Sequence, residues 1–173
     1  MVAGEGSESA LVSSTSIERT SDRELVLTRT FNGPARLVFE AWTRPELVRR
    51  WWAPAALGVT VVTCEADVRV GGTYRYELRT AAGHPVVFSG EYSEVTPYSR
   101  LVYTTVFEAM REAGATIVTV TFEEDGGRTH LESRELYPSK AALDGAMASG
   151  MEIGARATMD QLDELVLSLA PMS

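Results

Sequence analysis

The chain has 173 residues, 45% hydrophobic and 23% charged, which is the size and composition of one globular domain that buries roughly two thirds of its unfolded surface. Lys and Arg total 16 against 24 Asp and Glu, a net charge of -8, so attraction to a phosphate backbone is weak and nucleic acid is set aside as a partner. Cys64 stands alone, which excludes an internal disulfide and a thiolate metal cluster. The N-terminus, MVAGEGSESALVSSTSIERTSD, carries acids where a signal peptide needs a basic region, and no segment reaches the ~18 consecutive apolar residues of a membrane span. A cytoplasmic protein without membrane insertion is expected. Residues 1–20, rich in Ser, Gly and Glu and without periodicity, read as a disordered tail, and residues 21–170 as a single domain.

The folded part opens at RELVLTRTF, where Leu25, Leu27 and Arg29 alternate with Val26, Thr28 and Thr30 as in a strand. After NGP, Leu37, Val38, Ala41 and Trp42 recur at helical spacing, with Pro34 suited to a first turn. TRPE reads as a capping box, Thr43 accepting from the Glu46 amide and Glu46 reaching back. The helix that follows carries Leu47, Val48, Trp51 and Trp52 and stops at Pro54. In RRWWAP the two tryptophans lie about 100° apart around that helix. Trp51 falls on the stripe of Leu47 and Val48 as a packing wedge, Trp52 on the rim of whatever lies beyond, and Arg49 and Arg50 at a solvated helix end.

From Val59 to Tyr137 the pattern is β, with turn signals at VGG, AAGH, TPYS, EAGA and EDGG bounding segments at 59–68, 73–80, 85–95, 100–109, 115–123 and 128–137. Links this short allow only antiparallel neighbours, so with the first strand they predict a seven-stranded antiparallel sheet in an α+β domain. Ser139 caps the last element. It is predicted to run unbroken to Leu169, about 45 Å, with a stripe of Leu143, Met147, Met151, Gly154, Thr158, Leu162, Leu165 and Leu169. Gly145, Ala146, Ala148, Gly150, Gly154 and Ala155 leave its first half thinly filled.

The segments FNGPARLVFEAWTRPELVRRWWAP, CEADVRVGGTYRYEL, TVTFEEDGGRTHLE and YPSKAALDGAMASGMEIG resemble the START-like, helix-grip (SRPBCC) superfamily of polyketide cyclases, lipid-transfer domains and pollen-allergen-like proteins. They look most like the bacterial relatives of the activator of heat-shock-protein-90 ATPase. The resemblance implies a curved seven-stranded sheet wrapped around a long C-terminal helix, with two short helices after the first strand bordering an apolar cavity. Fold alone does not choose among the superfamily's ligands and partners.

Alternation supplies the candidate lining. Tyr74, Tyr76 and Leu78 share a face, as do Phe88, Gly90 and Tyr92, then Leu101, Tyr103, Thr105 and Phe107, then Val118, Val120 and Phe122. The candidate ligand-binding residues are Trp52, Tyr74, Tyr76, Phe88, Tyr103, Thr105, Val118, Val120, Ser133, Glu135, Met147, Met151 and Ala155, each of which also suits a filled core. Among them the chain departs from the family pattern at two places. Ala155 stands where relatives carry a tryptophan in GMxxGW, and Ser133 and Glu135 continue the face of Leu131 where relatives tend to be apolar. An unpaired carboxylate there is costly, so Glu135 is expected to be paired, protonated or near water, or else a strand-end residue reaching solvent.

Catalytic constellations are scarce. His84 sits in a turn, His130 faces outward, Cys64 has no evident base, and RVGGTY is a turn followed by no helix, which excludes a phosphate loop. Asp67 and Arg69 match the family's DxRxGG signature and read as an ion pair. No cofactor or metal is called for. Three functions stay open: carriage or sensing of a small hydrophobic or aromatic ligand; catalysis of the polyketide cyclase or hydrolase type, with Glu135, Tyr76 or Tyr103 as acid or base; and activation of a chaperone ATPase. A homodimer is compatible with all three.

Overall fold

In the computed structural model, which describes residues 14–170, the six strand segments between residues 59 and 137 all form: β3 (Thr60–Ala66), β4 (Thr73–Arg79), β5 (Pro85–Thr96), β6 (Arg100–Phe107), β7 (Thr116–Asp125) and β8 (Arg128–Leu136). The early strand, β2 (Glu24–Phe31), pairs with the last, so Leu25 faces Glu135 and Leu27 faces Ser133. The sheet has eight strands rather than seven, in the antiparallel order β1-β2-β8-β7-β6-β5-β4-β3. The extra strand, β1 (Ser16–Arg19), lies inside the stretch expected to be a tail and hydrogen-bonds β2 from Ser16↔Thr28 to Arg19↔Leu25. Four residues with one apolar member, Ile17, carry too little alternation to be read as a strand; the Leu25–Thr28 edge templates it. The remainder of the expected tail, residues 1–13, lies outside the described residues.

Two short helices follow β2, α1 (Ala35–Thr43) and α2 (Pro45–Val48). They are separated by Arg44, held extended as the residue before a proline tends to be. The expected capping box does not form. Thr43 belongs to α1 and its hydroxyl donates back to the Phe39 carbonyl at 2.8 Å, while the Glu46 carboxylate accepts from Arg44 at 2.6 Å.

The C-terminal helix is two helices. α3 (Lys140–Ala148) starts at the Ser139 cap, whose hydroxyl oxygen accepts from the Ala142 amide at 3.0 Å, and α4 (Met151–Leu169) starts after Gly150. Gly150 is left-handed at φ 83°, and Ser149 turns its hydroxyl onto the Ala146 carbonyl at 2.6 Å. Ala-Ser-Gly is thus a helix stop followed by a restart, because the left-handed residue ends one helix. α4 is about 28 Å long.

α1 and α4 pack on one face of the sheet, here the inner face, where Phe31, Val38, Leu101, Val120, Leu131, Leu162 and Val166 are sealed from solvent. Arg29 is buried on the same face. Its guanidinium reaches Asp160 at 2.5 Å, Thr15 at 3.1 Å and Asp163 at 3.5 Å, tying β2 to α4. This α+β arrangement, a broad antiparallel sheet closed by a C-terminal helix, fits the helix-grip fold. Among the described residues no helix is long and apolar enough to cross a membrane.

Candidate functional site

Strand register orders the inner face into rows. One row, Leu27–Ser133–Val120–Leu101, is fully buried and belongs to the main core. Val120 and Ser133 therefore lie in its sealed end, not around a cavity. The next row, Leu25–Glu135–Val118–Tyr103–Tyr92, leads from the core to a second, aromatic cluster. Beyond it Tyr74 and Tyr76 on β4 face Gly90 and Phe88 on β5. Burial is graded along this direction. Leu101 is sealed, Tyr103 and Thr105 are half-buried, and Phe107 is exposed.

The aromatic cluster is built around a missing side chain. A Cβ on Gly90 would stand 1.7 Å from the Thr104 carbonyl oxygen and 2.7 Å from the Tyr74 ring, so only glycine lets that ring lie across β5. Tyr74 is then within 4.8 Å of Tyr76, 5.6 Å of Tyr92 and 5.6 Å of Tyr103, centroid to centroid. Its hydroxyl lies 2.8 Å from the Thr104 carbonyl, to which it donates, and 2.6 Å from the Thr105 hydroxyl. Trp52 closes the cluster edge-on, 5.0 Å from Tyr76 and 5.2 Å from Phe88. Trp42 enters from α1, its indole N–H donating to the Tyr103 hydroxyl at 3.2 Å. Together Trp42, Trp52, Tyr74, Tyr76, Tyr92 and Tyr103 enclose about 10 Å³, room for the centre of about one water. The interior is filled by rings.

The helix expected to carry both tryptophans to Pro54 ends at Val48, and Trp51 and Trp52 lie in the turn that follows. Their amides both donate to the Val48 carbonyl, at 3.1 and 3.0 Å, yet the two side chains still part. Trp51 is 2% exposed, and its indole N–H donates to the Ala41 carbonyl at 2.8 Å, wedging α2 against α1. Trp52 is half-buried at the rim of the aromatic cluster.

Electrostatics follow burial. Burial pushes the Tyr74 phenol far above its ordinary value, with the Thr105 hydroxyl opposing. It pushes Tyr92 up to about 12, partly offset by the neighbouring Tyr76 hydroxyl. Tyr103 rises well above the usual phenol range for the same reason, with the nearby Tyr74 adding, the Trp42 N–H opposing and the Glu135 carboxylate adding again. All these phenols are neutral donors and acceptors, not bases. Glu135 is partly buried beside Val118; burial raises its carboxyl, and the Tyr137 hydroxyl, donating to Oε1 at 3.1 Å, opposes the rise.

The remaining candidates fall elsewhere. Ala155 packs against the main core, and Met147 and Met151 are half-buried, the Met147 sulfur 3.9 Å from an Arg19 nitrogen. None of the three borders the aromatic cavity. Cys64 faces Tyr76, and burial lifts its thiol to about 11, against a reactive role. Asp67 and Arg69 form the expected ion pair at 2.8 Å on the surface. Among the described residues no group of three or more His, Cys, Asp or Glu is placed to hold a metal ion.

One lining residue, Trp42, escapes the sequence reading, and a second, Tyr92, is read on the lining face but not among the ligand-binding candidates. Trp42 is placed by periodicity on the packed face of α1, and only its indole N–H, which needs a partner when buried, hinted at a polar contact. Tyr92 takes the inward position that alternation with Phe88 and Gly90 predicts, just ahead of a bulge between Tyr92 and Glu94. A larger open depression of about 420 Å³ lies between Arg50, Ala55 and α4. Its central Gln161 is spent on the loop, donating to the Trp51 and Ala53 carbonyls and accepting from the Ala55 amide.

Several solved structures share the architecture. A protein from Rhodobacter sphaeroides superposes with a TM-score of 0.81 at 23% identity, covering 90% of this chain and 99% of that one. One from Nitrosomonas europaea gives 0.77 at 24%, covering 87% and 97%. A Staphylococcus epidermidis protein gives 0.73 at 27%, covering 91% and 97%. A search of curated proteins returned no match. Residues 32–166 match the family described as Activator of Hsp90 ATPase homolog 1-like protein, and the chain belongs to that family.

Proposed function

We propose that the protein binds a small hydrophobic or aromatic molecule in the aromatic cluster of the inner face. The observation that supports this is the ring nest itself: six Trp and Tyr rings around a minute cavity, closed at the rim by half-buried Trp52. A core needing only apolar volume is filled well by Leu and Phe. Here buried phenols converge instead, each bringing a hydroxyl that must be satisfied. Because ligand sites run to roughly 300–1,000 Å³, a ligand would take the place of Trp52, which swings outward, so the ligand-free state is the closed one. Saturable quenching of tryptophan fluorescence by apolar aromatic compounds, lost in Trp52→Ala together with Tyr74→Ala, tests the reading. A broad ligand screen by native mass spectrometry that finds no binder refutes it.

A second reading, catalysis inside the same space, draws on Glu135, a carboxyl raised by burial next to the cluster. It requires turnover of a candidate substrate that Glu135→Gln abolishes. The family description suggests a third, stimulation of a chaperone ATPase, which an ATPase assay with the cognate chaperone decides.

A further inference from the structure

Resting on the ligand-binding reading above, we infer that the preferred ligand is a hydrophobic amine, its ammonium held by Glu135 and its apolar part lying against the aromatic rings. Strand register puts Glu135 on the inner face between Leu25 and Val118, with Tyr103 next beyond Val118. One carboxylate oxygen accepts from Tyr137, and Oε2 has no hydrogen-bond partner among the described residues. No ion pair to Glu135 forms among the described residues. Arg23, beside Tyr137 and just ahead of β2, directs its Nε to the Tyr137 backbone carbonyl at 2.9 Å. Arg134, on the other face of β8, pairs with Glu24 and Glu132 at 3.3 Å and 2.9 Å. Arg19, on the inner face beyond Leu25, is held by Asp144 at 2.7 Å, and Asp144 is itself shared with Lys140 at 2.9 Å.

The inner-face carboxyl of Glu135 thus has one oxygen without a hydrogen bond and no ion-pair partner among the described residues. An anionic ligand would meet repulsion there, whereas an N–H donor completes the acceptor. Tyr103 extends the complementarity, since its oxygen accepts from Trp42 and its ring belongs to the aromatic wall. Ring faces of Tyr and Trp attract an alkylammonium, so the Tyr103 ring, one strand beyond Val118 from the carboxylate, adds a second attraction for the same cation. The chain's net charge of -8 favours approach of a cation.

The test is a series sharing one scaffold: 4-phenylbutylamine, 4-phenylbutanol, 4-phenylbutyrate and butylbenzene, titrated by calorimetry into the wild-type protein and Glu135→Gln. The amine is expected to bind wild type at least tenfold more tightly than butylbenzene, and 4-phenylbutyrate more weakly than either. Glu135→Gln is expected to remove the amine's advantage and leave butylbenzene unchanged, which also shows that the variant is folded. Equal or tighter binding of 4-phenylbutyrate to wild type overturns the inference, as does an amine affinity that survives Glu135→Gln; if that variant fails to fold, the wild-type series alone decides. If butylbenzene binds without preference for the amine, only this inference falls. If none of the four binds, the ligand-binding reading falls with it.

Discussion

Trp51 and Trp52 are adjacent, identical in size and in opposite situations, so truncating each to alanine separates structural packing from a movable rim. Trp51 is 2% exposed, packs against Trp42 with the rings tilted by 50° and centroids 4.9 Å apart, and donates to the Ala41 carbonyl. Trp→Ala in a core costs about 3–5 kcal/mol, and the Ala41 carbonyl loses a donor as well, so about 4 kcal/mol is expected. Trp52 is only half-buried, and the loss is its apolar contact plus two edge-on aromatic pairs with Tyr76 and Phe88 at about 0.5–1.5 kcal/mol each. About 2 kcal/mol follows. At about 2–4 °C per kcal/mol for a chain of this length, Tm falls by about 8–16 °C for Trp51→Ala and about 4–8 °C for Trp52→Ala. Urea unfolding followed by circular dichroism, which does not depend on the deleted fluorophore, measures both, and an unchanged m-value keeps the comparison two-state. Equal losses, or a larger loss at Trp52, would refute the assignment of Trp52 to a rim that moves.

The Glu135 carboxyl gives a pH signature. Its folded value lies above the ordinary 4.5 because burial disfavours the charge. The folded state thus holds the proton longer than the unfolded one, and stability falls as pH rises from about 4.5 through the raised folded value. Glu135→Gln lacks this loss. The stability of wild type minus that of Glu135→Gln, from urea midpoints between pH 4 and 8, should decline with pH and then level; a flat or rising difference contradicts the buried placement. Gly150→Ala tests the helix break by sign. In the left-handed conformation at φ 83°, alanine costs about 1–2 kcal/mol although no atom lies within 4 Å of the added Cβ. In a continuous helix the same change would stabilise by about 1 kcal/mol, so a rise in Tm excludes the break.

What the sequence made legible was periodic. Strands β3 to β8 alternate over seven to twelve residues between Gly-, Pro- or Asp-bearing turns, and each was placed to within about three residues at either end. The inward direction of Tyr74, Tyr76, Phe88 and Glu135 followed from the same alternation. Features that depend on partners distant in the chain were not legible. β1 is a strand because β2 offers it an edge, and Arg29 is buried because α4, some 130 residues later, brings Asp160 and Asp163. Local signals also compete. Thr43 can cap the next helix or bond back to Phe39, and once Arg44 is held extended before Pro45 the second choice wins. Ala-Ser-Gly at 148–150 reads equally as small residues on one helix face and as a helix stop; only φ at Gly150 separates them.

The same division explains how stability and the proposed binding site share one inner face. Aliphatic rows on β2, β6, β7 and β8 close against α1 and α4 with near-zero exposure, so the ordering cost is met at that end. At the other end Val48 is the sole aliphatic member of the buried Tyr74–Tyr76–Tyr92 cluster. There the rings pack at 4.8–5.8 Å, their hydroxyls bond locally to Thr104, Thr105 and Trp42, and Trp52 rests on them from the turn between a four-residue helix and Pro54. Moving Trp52 outward breaks two edge contacts and none of the hydrogen bonds recorded among the rings. Moving Trp51 would break a buried hydrogen bond and the α1–α2 packing. On the proposed reading, a ligand that replaces two edge contacts opens the aromatic end while the aliphatic end stays shut, an asymmetry that begins with the two tryptophans of RRWWAP.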